Sequence, residues 1–332
     1  MPELRQNLAT REWVIIATER AKRPHDYVQP HQHLLTEAQL PYDPTCPFCP
    51  GHEELDLEIK RLPANGLWQT RVVGNKFPAL SHEGELVRTF DGVHRFIYGL
   101  GYHEILVEHP RHNTTLALMS PADIEAVLET FYSRGWEILC DARIEQLIFF
   151  KNHGVQAGAT LKHPHSQIMA LPVVPNSIRY RIEEARRYFD DNGKCVYCVM
   201  MDDELKEGIR VVDTSQHFVA FALYASPSPF HVWIMPRQHN VSFLFARKEE
   251  LADLAQILRR VLRRLYFGLR DPAYNLVIRT APAKEIGEDY LHWYISIIPR
   301  LNSTAGFELG SGMFINTALP EESAIFLREV EI

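Results

Sequence analysis

Two short patterns in this chain combine residue types that do chemistry at a fixed spacing. Residues 162–167 read KHPHSQ, so His163 and His165 flank one proline and Gln167 follows two positions on. Side chains alternate along an extended strand, so these three point the same way. The cysteines supply the second pattern. Cys46/Cys49 and Cys195/Cys198 are both C-x-x-C pairs, and Cys140 stands alone. Thiolates together with imidazoles suit tetrahedral zinc, a borderline-soft ion with no redox chemistry of its own. A C-x-x-C can also be a redox pair, but that chemistry sets the first cysteine at a helix N-terminus. Here Pro50-Gly51 follows Cys49 at once, which favours a turn.

An internal repeat organises these residues. HEILVEHPRHNTTL (103–116) matches FHVWIMPRQHNVSF (230–243), pairing His112 with His239 at an offset of 127. A helix pattern follows each. The first opens on Ser120-Pro121 with Asp123 in its first turn, a cap and an N1 proline. Ile124, Val127, Leu128, Phe131 and Ile138 then recur at helical spacing, as do Leu251, Leu254, Ala255, Leu258 and Leu265 in the second copy. Strand patterns come next, QLIFFKN and YNLVIRT, and each copy closes on a strand ending in proline, HPHSQIMALP and LHWYISIIP. The distances from His112 to Pro172 and from His239 to Pro299 are both 60 residues. The chain therefore reads as an α+β protein made of one unit twice, with antiparallel sheets and flanking helices. The division is residues 1–175 and 176–332, where the sequence turns polar and helix-like. Cys140, near the end of the first helix, is expected to be a small buried apolar residue.

Equivalent places should supply equivalent ligands. The first half offers Cys46, Cys49, His112 and one of His163 or His165; the second offers Cys195, Cys198, His239 and His292. A single site built from all four paired cysteines is the rival arrangement. Aligning Pro172 with Pro299 sets His292 opposite His165. With one metal per half, the first half has a histidine to spare. Imidazole attacks phosphorus to give a phosphoramidate, which a second acceptor can discharge. A neighbouring metal ligand would hold the strand rigid and aim the ring. Gln167 can donate to a phosphate oxygen. Upstream, Gly154 and Gly158 in NHGVQAGAT allow a close backbone approach, and Asn152 and Thr160 add donors. Arg20, Lys22 and Arg23 in TERAKRP form a small basic patch.

The remaining composition narrows the function class. The 332 residues carry a net charge of −7, which argues against a general nucleic-acid binder. No apolar run approaches the roughly 18 residues needed to cross a bilayer. The N-terminal apolar stretch, Trp13 to Ala17, is too short for a signal-peptide core. A cytoplasmic protein without membrane partners is expected, with its cysteines reduced.

HPHSQ preceded by KNHGVQAGAT, with CPFCPG and TERAKRP upstream, resembles the galactose-1-phosphate uridylyltransferase family of the histidine-triad superfamily. The resemblance runs from residue 5 to residue 327. It implies a duplicated histidine-triad-like unit and a double displacement. UDP-glucose would give UMP to a histidine, and galactose 1-phosphate would take it away. It also implies two Zn²⁺ per chain, a nucleotide sugar and a sugar 1-phosphate as substrates, and a homodimer with shared active sites. By the same resemblance His165 is the nucleophile, and His163 is a zinc ligand with Cys46, Cys49 and His112. Gln167 contacts phosphate. Asn152, Gly158, Thr160, Arg20 and Arg23 lie along the nucleotide phosphates and ribose, and Asn75 and Phe77 in GNKFPAL lie near the nucleoside. Phe307 and Glu308 fall where the family contacts the hexose. The chain departs from the best-known members at two places. CVYC, His239 and His292 stand where those members use a carboxylate and histidines, and Asn302 and Phe314 replace an expected lysine and glutamine. The first departure resembles a two-zinc branch that includes ADP-glucose:phosphate adenylyltransferase-like enzymes, and the second leaves the sugar and the base of the donor open. The alternative function is therefore adenylyl transfer from ADP-glucose or a dinucleoside polyphosphate to phosphate, through the same histidine. A hydrolase and a non-catalytic zinc-stabilised module are the further alternatives.

Overall fold

In a computed structural model, residues 1–18, 24–28 and 35–332 are described. Arg20, Lys22 and Arg23 lie outside the described residues. In chain order the structure forms β1 (Glu3–Gln6), β2 (Trp13–Ile16), β3 (Glu58–Leu62), β4 (Thr70–Gly74), β5 (Arg88–Asp91), β6 (His94–Ile97), β7 (Tyr102–Val107), α1 (Pro121–Leu139), β8 (Gln146–His153) and β9 (His165–Leu171). It continues with α2 (Asn176–Asn192), α3 (Val196–Glu207), β10 (Val211–Thr214), β11 (Phe218–Ala222), β12 (Val232–Pro236), α4 (Lys248–Leu269), β13 (Tyr274–Arg279), β14 (Tyr294–Pro299), α5 (Gly306–Ser311), β15 (Phe314–Asn316) and α6 (Pro320–Glu329).

One ten-stranded sheet runs β10-β11-β12-β14-β13-β8-β9-β7-β4-β3. Its order reads the same from both ends once the repeat is applied: β8 answers β13, β9 answers β14 and β7 answers β12. The duplication expected from the sequence is thus one continuous sheet joined at its middle, where β8 and β13 pair antiparallel from Tyr274↔His153 to Ile278↔Phe149. Smaller sheets, β1-β2-β15 and β5-β6, lie outside it. Among the described residues no helix is long and apolar enough to cross a membrane.

The helices start where their caps dictate. Ser120 and Asp123 form a capping box, each side chain accepting from the other's backbone N–H, and Pro121 follows the cap. Ile124, Val127, Leu128, Phe131 and Ile138 are buried, as are their counterparts along α4. Both helices cover the sheet face that carries Leu106, Ile168 and Ala170, in a core shared by the two halves. His165 and Gln167 have the opposite parity on β9 and so face away from the helices. At Gly135 a Cβ would stand 2.7 Å from Leu244 Cδ2 and 2.8 Å from Phe149 Cζ, so glycine lets α1 come this close. Burial of Cys140 is not observed. The thiol is exposed and Cys140 is the C-cap of α1, its Sγ lying 3.5 Å from the carbonyl of Trp136. Two residues beyond buried Ile138 is roughly 200° round a helix, which turns the side chain outward.

Asp271 fastens the halves together at the end of the central ladder. It is 3% exposed; its Oδ2 accepts from the Thr36 N–H (2.8 Å) and hydroxyl (2.7 Å), and its Oδ1 lies 2.7 Å from His153 Nε2. Burial raises its affinity for a proton, but His153 and Thr36 outweigh that and leave the carboxyl below its ordinary pKa. Such a group stabilises above the unfolded carboxylate pKa and stops doing so as pH falls through the folded one. Asp271→Asn should therefore lower stability at pH 7 by about 1–3 kcal/mol. Urea melts of both proteins should converge as the pH is taken down through about 4; a gap independent of pH would refute this account.

Candidate active site and metal centres

The first cluster is assembled by three separate segments. Cys46 and Cys49 sit in a turn closed by Cys49 N–H to Cys46 O (3.3 Å), as Pro50-Gly51 led one to expect. His112 follows β7, and His163 precedes β9. Cys46, Cys49, His112 and His163 are all buried and offer ligand atoms within 4.8 Å of one another. Cys49 Sγ lies 3.5 Å from His112 Nδ1 and 3.6 Å from His163 Nδ1. A tetrahedral ion with metal–sulfur bonds of about 2.3 Å and metal–nitrogen bonds of about 2.0–2.1 Å spans sulfur–nitrogen edges of roughly 3.5 Å, so the spacing fits. His163 Nε2–H donates to the His109 carbonyl (2.8 Å), leaving Nδ1 as the ligating nitrogen. Burial lowers the His163 pKa to about 3, and burial also lowers His112, so both rings are neutral at pH 7 and able to ligate.

Cys195, Cys198, His239 and His292 form the matching cluster, again within 4.8 Å. Cys198 Sγ is 3.3 Å from His239 Nδ1 and 3.4 Å from His292 Nδ1. The setting differs from the first. Cys195 is the N-cap of α3 and Cys198 lies inside that helix. The Nε2 atoms of His239 and His292 are buried without a hydrogen-bond partner among the described residues. Both C-x-x-C pairs thus serve separate Cys₂His₂ groups that could hold metal ions.

His165 is two residues from His163 and is 7% exposed. Its Nδ1–H donates to the carbonyl of His163 at 2.8 Å. That bond fixes the tautomer with an unprotonated Nε2. Burial lowers the His165 pKa, which keeps the ring neutral. The backbone beneath it is anchored by Lys151, whose Nζ donates to the His165 carbonyl (3.1 Å) and pairs with Glu108 Oε2 (2.8 Å). The Ser166 hydroxyl donates to the other oxygen of Glu108, and Glu108 N–H donates to the Pro164 carbonyl (3.0 Å). Lys151 and Glu108 are 2% and 0% exposed at their side chains.

A cavity of about 340 Å³ opens over this ring, within the roughly 300–1,000 Å³ usual for ligand pockets. His165, Gln167, Asn75, Phe77 and Thr160 line it, together with Phe48, whose ring lies 5.7 Å from that of His165. Arg71, Lys76 and Glu54 are in the wall, with Lys76 paired to Glu54 (3.1 Å) and Arg71 to Glu58 (2.7 Å). Asn152 and Gly158 stand next to each other, 3.8 Å from a glycine Cβ position to the Asn152 amide nitrogen, but do not line the cavity. Phe307 and Glu308 lie on exposed α5, outside the cavity, where Glu308 accepts from the Ala305 N–H. Arg20 and Arg23 are outside the described residues.

His103 was not expected here. The Ala79 N–H donates to its Nδ1 (3.1 Å), so the ring proton is on Nε2, which donates to Gln167 Oε1 (3.0 Å). The Gln167 amide NH₂ is thereby turned toward the cavity as a donor. Asn75 Nδ2 sits 3.1 Å from the same His103 nitrogen. Neither His103 nor the Lys151–Glu108 pair belongs to a local motif. A charge amid the apolar run LIFFKNH was the one available signal for Lys151.

A duplicated unit on one sheet, with a Cys₂His₂ group in each half and one neutral histidine under a cavity, defines a histidine-triad-type architecture. Residues 1–175 match the family described as "Galactose-1-phosphate uridyl transferase, N-terminal domain". The chain is 37% identical over its whole length to a protein named ADP-glucose phosphorylase from Arabidopsis thaliana, covering 93% of that protein. It is 31% identical to galactose-1-phosphate uridylyltransferase of Thermotoga maritima, covering all of this chain and 99% of the relative. The crystal structure of an Arabidopsis thaliana ADP-glucose phosphorylase with bound ADP-glucose superimposes with a TM-score of 0.82 at 33% identity, across 100% of this chain and 99% of that one. The chain belongs to the galactose-1-phosphate uridylyltransferase family.

Removing one partner of a buried ion pair strands the other, at a cost of about 3–5 kcal/mol. Lys151→Met should lower stability by that amount in chemical unfolding, because Glu108 is left unpaired. Adding Glu108→Leu should restore most of the loss. A single variant as stable as the parent would show that the pair does not anchor the His165 backbone.

Proposed function

We propose that the chain is a nucleotidyltransferase that moves UMP from UDP-glucose to galactose 1-phosphate through a covalent nucleotidyl-His165. The observation that carries this is the Nδ1–H bond from His165 to the His163 carbonyl, which leaves Nε2 as a nucleophile under the cavity. Nε2 attacks the nucleotide's α-phosphorus. The new N–P bond forms as the P–O bond to glucose 1-phosphate breaks, and the departing phosphate oxygen keeps the electron pair. A phosphate oxygen of galactose 1-phosphate then attacks the same phosphorus, and the imidazole leaves neutral, with Nδ1 keeping its proton and still donating it to the His163 carbonyl. Gln167, oriented by His103, donates to the phosphoryl oxygens. Asn75 and Phe77 border the nucleoside, Thr160 the phosphates, and Asn152 with Gly158 the turn beside them. Arg20 and Arg23 are assigned to the phosphates from the sequence alone.

Zn²⁺ is the ion we assign to both clusters, held by Cys46, Cys49, His112 and His163 and by Cys195, Cys198, His239 and His292. When bound it supplies rigidity, fixing the strand ends that carry the reacting residues. Residues 1–175 thus form the half with the nucleophile and residues 176–332 the half with a structural metal alone. Phe307 and Glu308 lie outside the His165 cavity; we assign them to the hexose of a neighbouring copy's site, in a homodimer that shares its active sites. The reduced C-x-x-C pairs fit the cytoplasm.

A second reading rests on the higher identity, 37%, to the ADP-glucose phosphorylase. In it His165 takes AMP from ADP-glucose, and phosphate accepts it. The two readings share the first half-reaction and differ in base and acceptor. Incubation with α-labelled UDP-glucose and with α-labelled ADP-glucose should leave acid-labile label on the chain from the true donor. His165→Ala should lose turnover by roughly 10⁴-fold or more, as expected on removing a nucleophile. Full turnover by this variant would defeat both readings. Elemental analysis should find two zinc ions per folded chain. Cys195→Ser should retain one and melt at lower temperature, because a structural ion contributes folding energy, while still forming the labelled intermediate.

A further inference from the structure

The second half has its own cavity, in the place that corresponds to the His165 site. The clusters make His163 and His292 equivalent, which is a two-residue slip from the offset of 127 relating His112 to His239. The ladders absorb this slip. Phe149↔Ile168 in the first half corresponds to Leu276↔Ile297 in the second. By the same register His165 is replaced by Tyr294, Gln167 by Ser296 and Asn152 by Arg279. Tyr294 and Arg279 are cross-strand partners.

A cavity of about 210 Å³ lies over these residues, walled by Arg181, Arg279, Arg300, His231, Trp233 and Tyr294. Its charge is opposite to that of the chain as a whole. Three guanidinium groups face one carboxylate, Glu12, which is half exposed and only within 4.0 Å of Arg181. Several donors there are idle. Arg279 Nε, Trp233 Nε1 and His231 Nδ1 are buried with no hydrogen-bond partner among the described residues. His231 Nε2 lies 2.7 Å from the Ser296 hydroxyl. When Ser296 donates to Nε2, Nδ1 carries the proton and becomes a further unused donor. Arg181 reaches the Tyr294 hydroxyl at 3.5 Å, a long contact that leaves its other nitrogens available. Arg181 and Arg279 are part-buried and Arg300 is exposed; a guanidinium's planar fork matches a phosphate.

We propose that this cavity binds the dianionic phosphate group of a small ligand, non-covalently, as a second site distinct from the His165 pocket. At about 210 Å³ it has room for inorganic phosphate or the phosphate end of a monosaccharide phosphate. Without an imidazole at the His165 position, no nucleotidyl intermediate forms there. Trp13 and Phe314 at the mouth offer an apolar face to a sugar ring. The proposal does not depend on the activity assigned to His165.

Calorimetric titration of the full-length, metal-loaded protein with inorganic phosphate, and separately with glucose 1-phosphate, tests it. Arg279→Met should weaken phosphate binding at least about tenfold, the loss of one charge-assisted hydrogen bond. Labelling of His165 by nucleotide sugar should be unchanged. If Arg279→Met does not fold, Arg300→Ala decides: this arginine is exposed at the rim, and its loss should weaken binding several-fold without altering the melting temperature. Tighter binding of glucose 1-phosphate that depends on the same arginines identifies a sugar phosphate as the ligand; equal or weaker binding identifies inorganic phosphate. No phosphate binding by the parent protein, or binding that depends on Gln167 but on neither arginine, overturns the proposal.

Discussion

The bond from His165 Nδ1–H to the carbonyl of His163 is the constraint on which the rest of the active half depends. It closes within three residues, His163-Pro164-His165, so it costs little chain entropy to hold. It sets the tautomer, and thereby decides that Nε2 is the nitrogen available to a ligand. It also couples the His165 ring to the Cys₂His₂ group, because the residue whose carbonyl accepts this hydrogen bond is itself a member of that group. Proline between them restricts the backbone further. Underneath, Lys151, Glu108 and Ser166 clamp the same peptide segment from the other face of the sheet. The position of the ring is over-determined from both sides, which is what the nucleophile proposed for this position would need to meet phosphorus within a few tenths of an ångström.

Much of this was legible in the sequence, and the reasons are local. Ser120, Pro121 and Asp123 announce a helix start by capping chemistry, and periodic Leu, Ile, Val and Phe announce its buried face. The repeat gave the duplicated α+β fold, since two equal spacings from histidine to proline imply two equal supersecondary units. What escaped is non-local. His103 acts on Gln167 because β7 and β9 are neighbours in register, with Ile105 opposite Gln167, and no pattern along the chain records that pairing. Asp271 meets Thr36 across most of the sequence. Cys140 failed for a smaller reason: a residue at a helix end can leave the apolar face within two positions.

The two halves show how one scaffold separates structural from chemical roles. Each retains two cysteines and two histidines, which bring a strand end to a distant segment, a turn in the first half and the start of α3 in the second. The residues two and four beyond the last ligand carry no such burden, so they are free to differ. His165 and Gln167 make a neutral nucleophile and a donor; Tyr294 and Ser296, beside Arg279, make a surface for a fixed anion. The two-residue slip between β8/β9 and β13/β14 changes nothing in the ladder, since side chains return to the same face after two residues. A slip of one would have turned the ligand away from its cluster.

The same reasoning explains why the identity of the acceptor is harder to read than the reaction. An imidazole nucleophile sees only phosphorus and its leaving oxygen, and a glucose 1-phosphate leaves in both readings. The second half-reaction reuses the same atoms in reverse, with an incoming phosphate oxygen in place of the departing one. Whether that oxygen belongs to a sugar phosphate or to inorganic phosphate changes no bond at His165. It changes only what must be recognised beyond the phosphate. A sugar phosphate needs hydroxyl partners such as Glu308 delivered to the cavity, whereas inorganic phosphate needs none. α5 stands outside the cavity within one chain, so under the proposed role of Glu308 selection between the two acceptors would depend on an assembly that brings α5 to it.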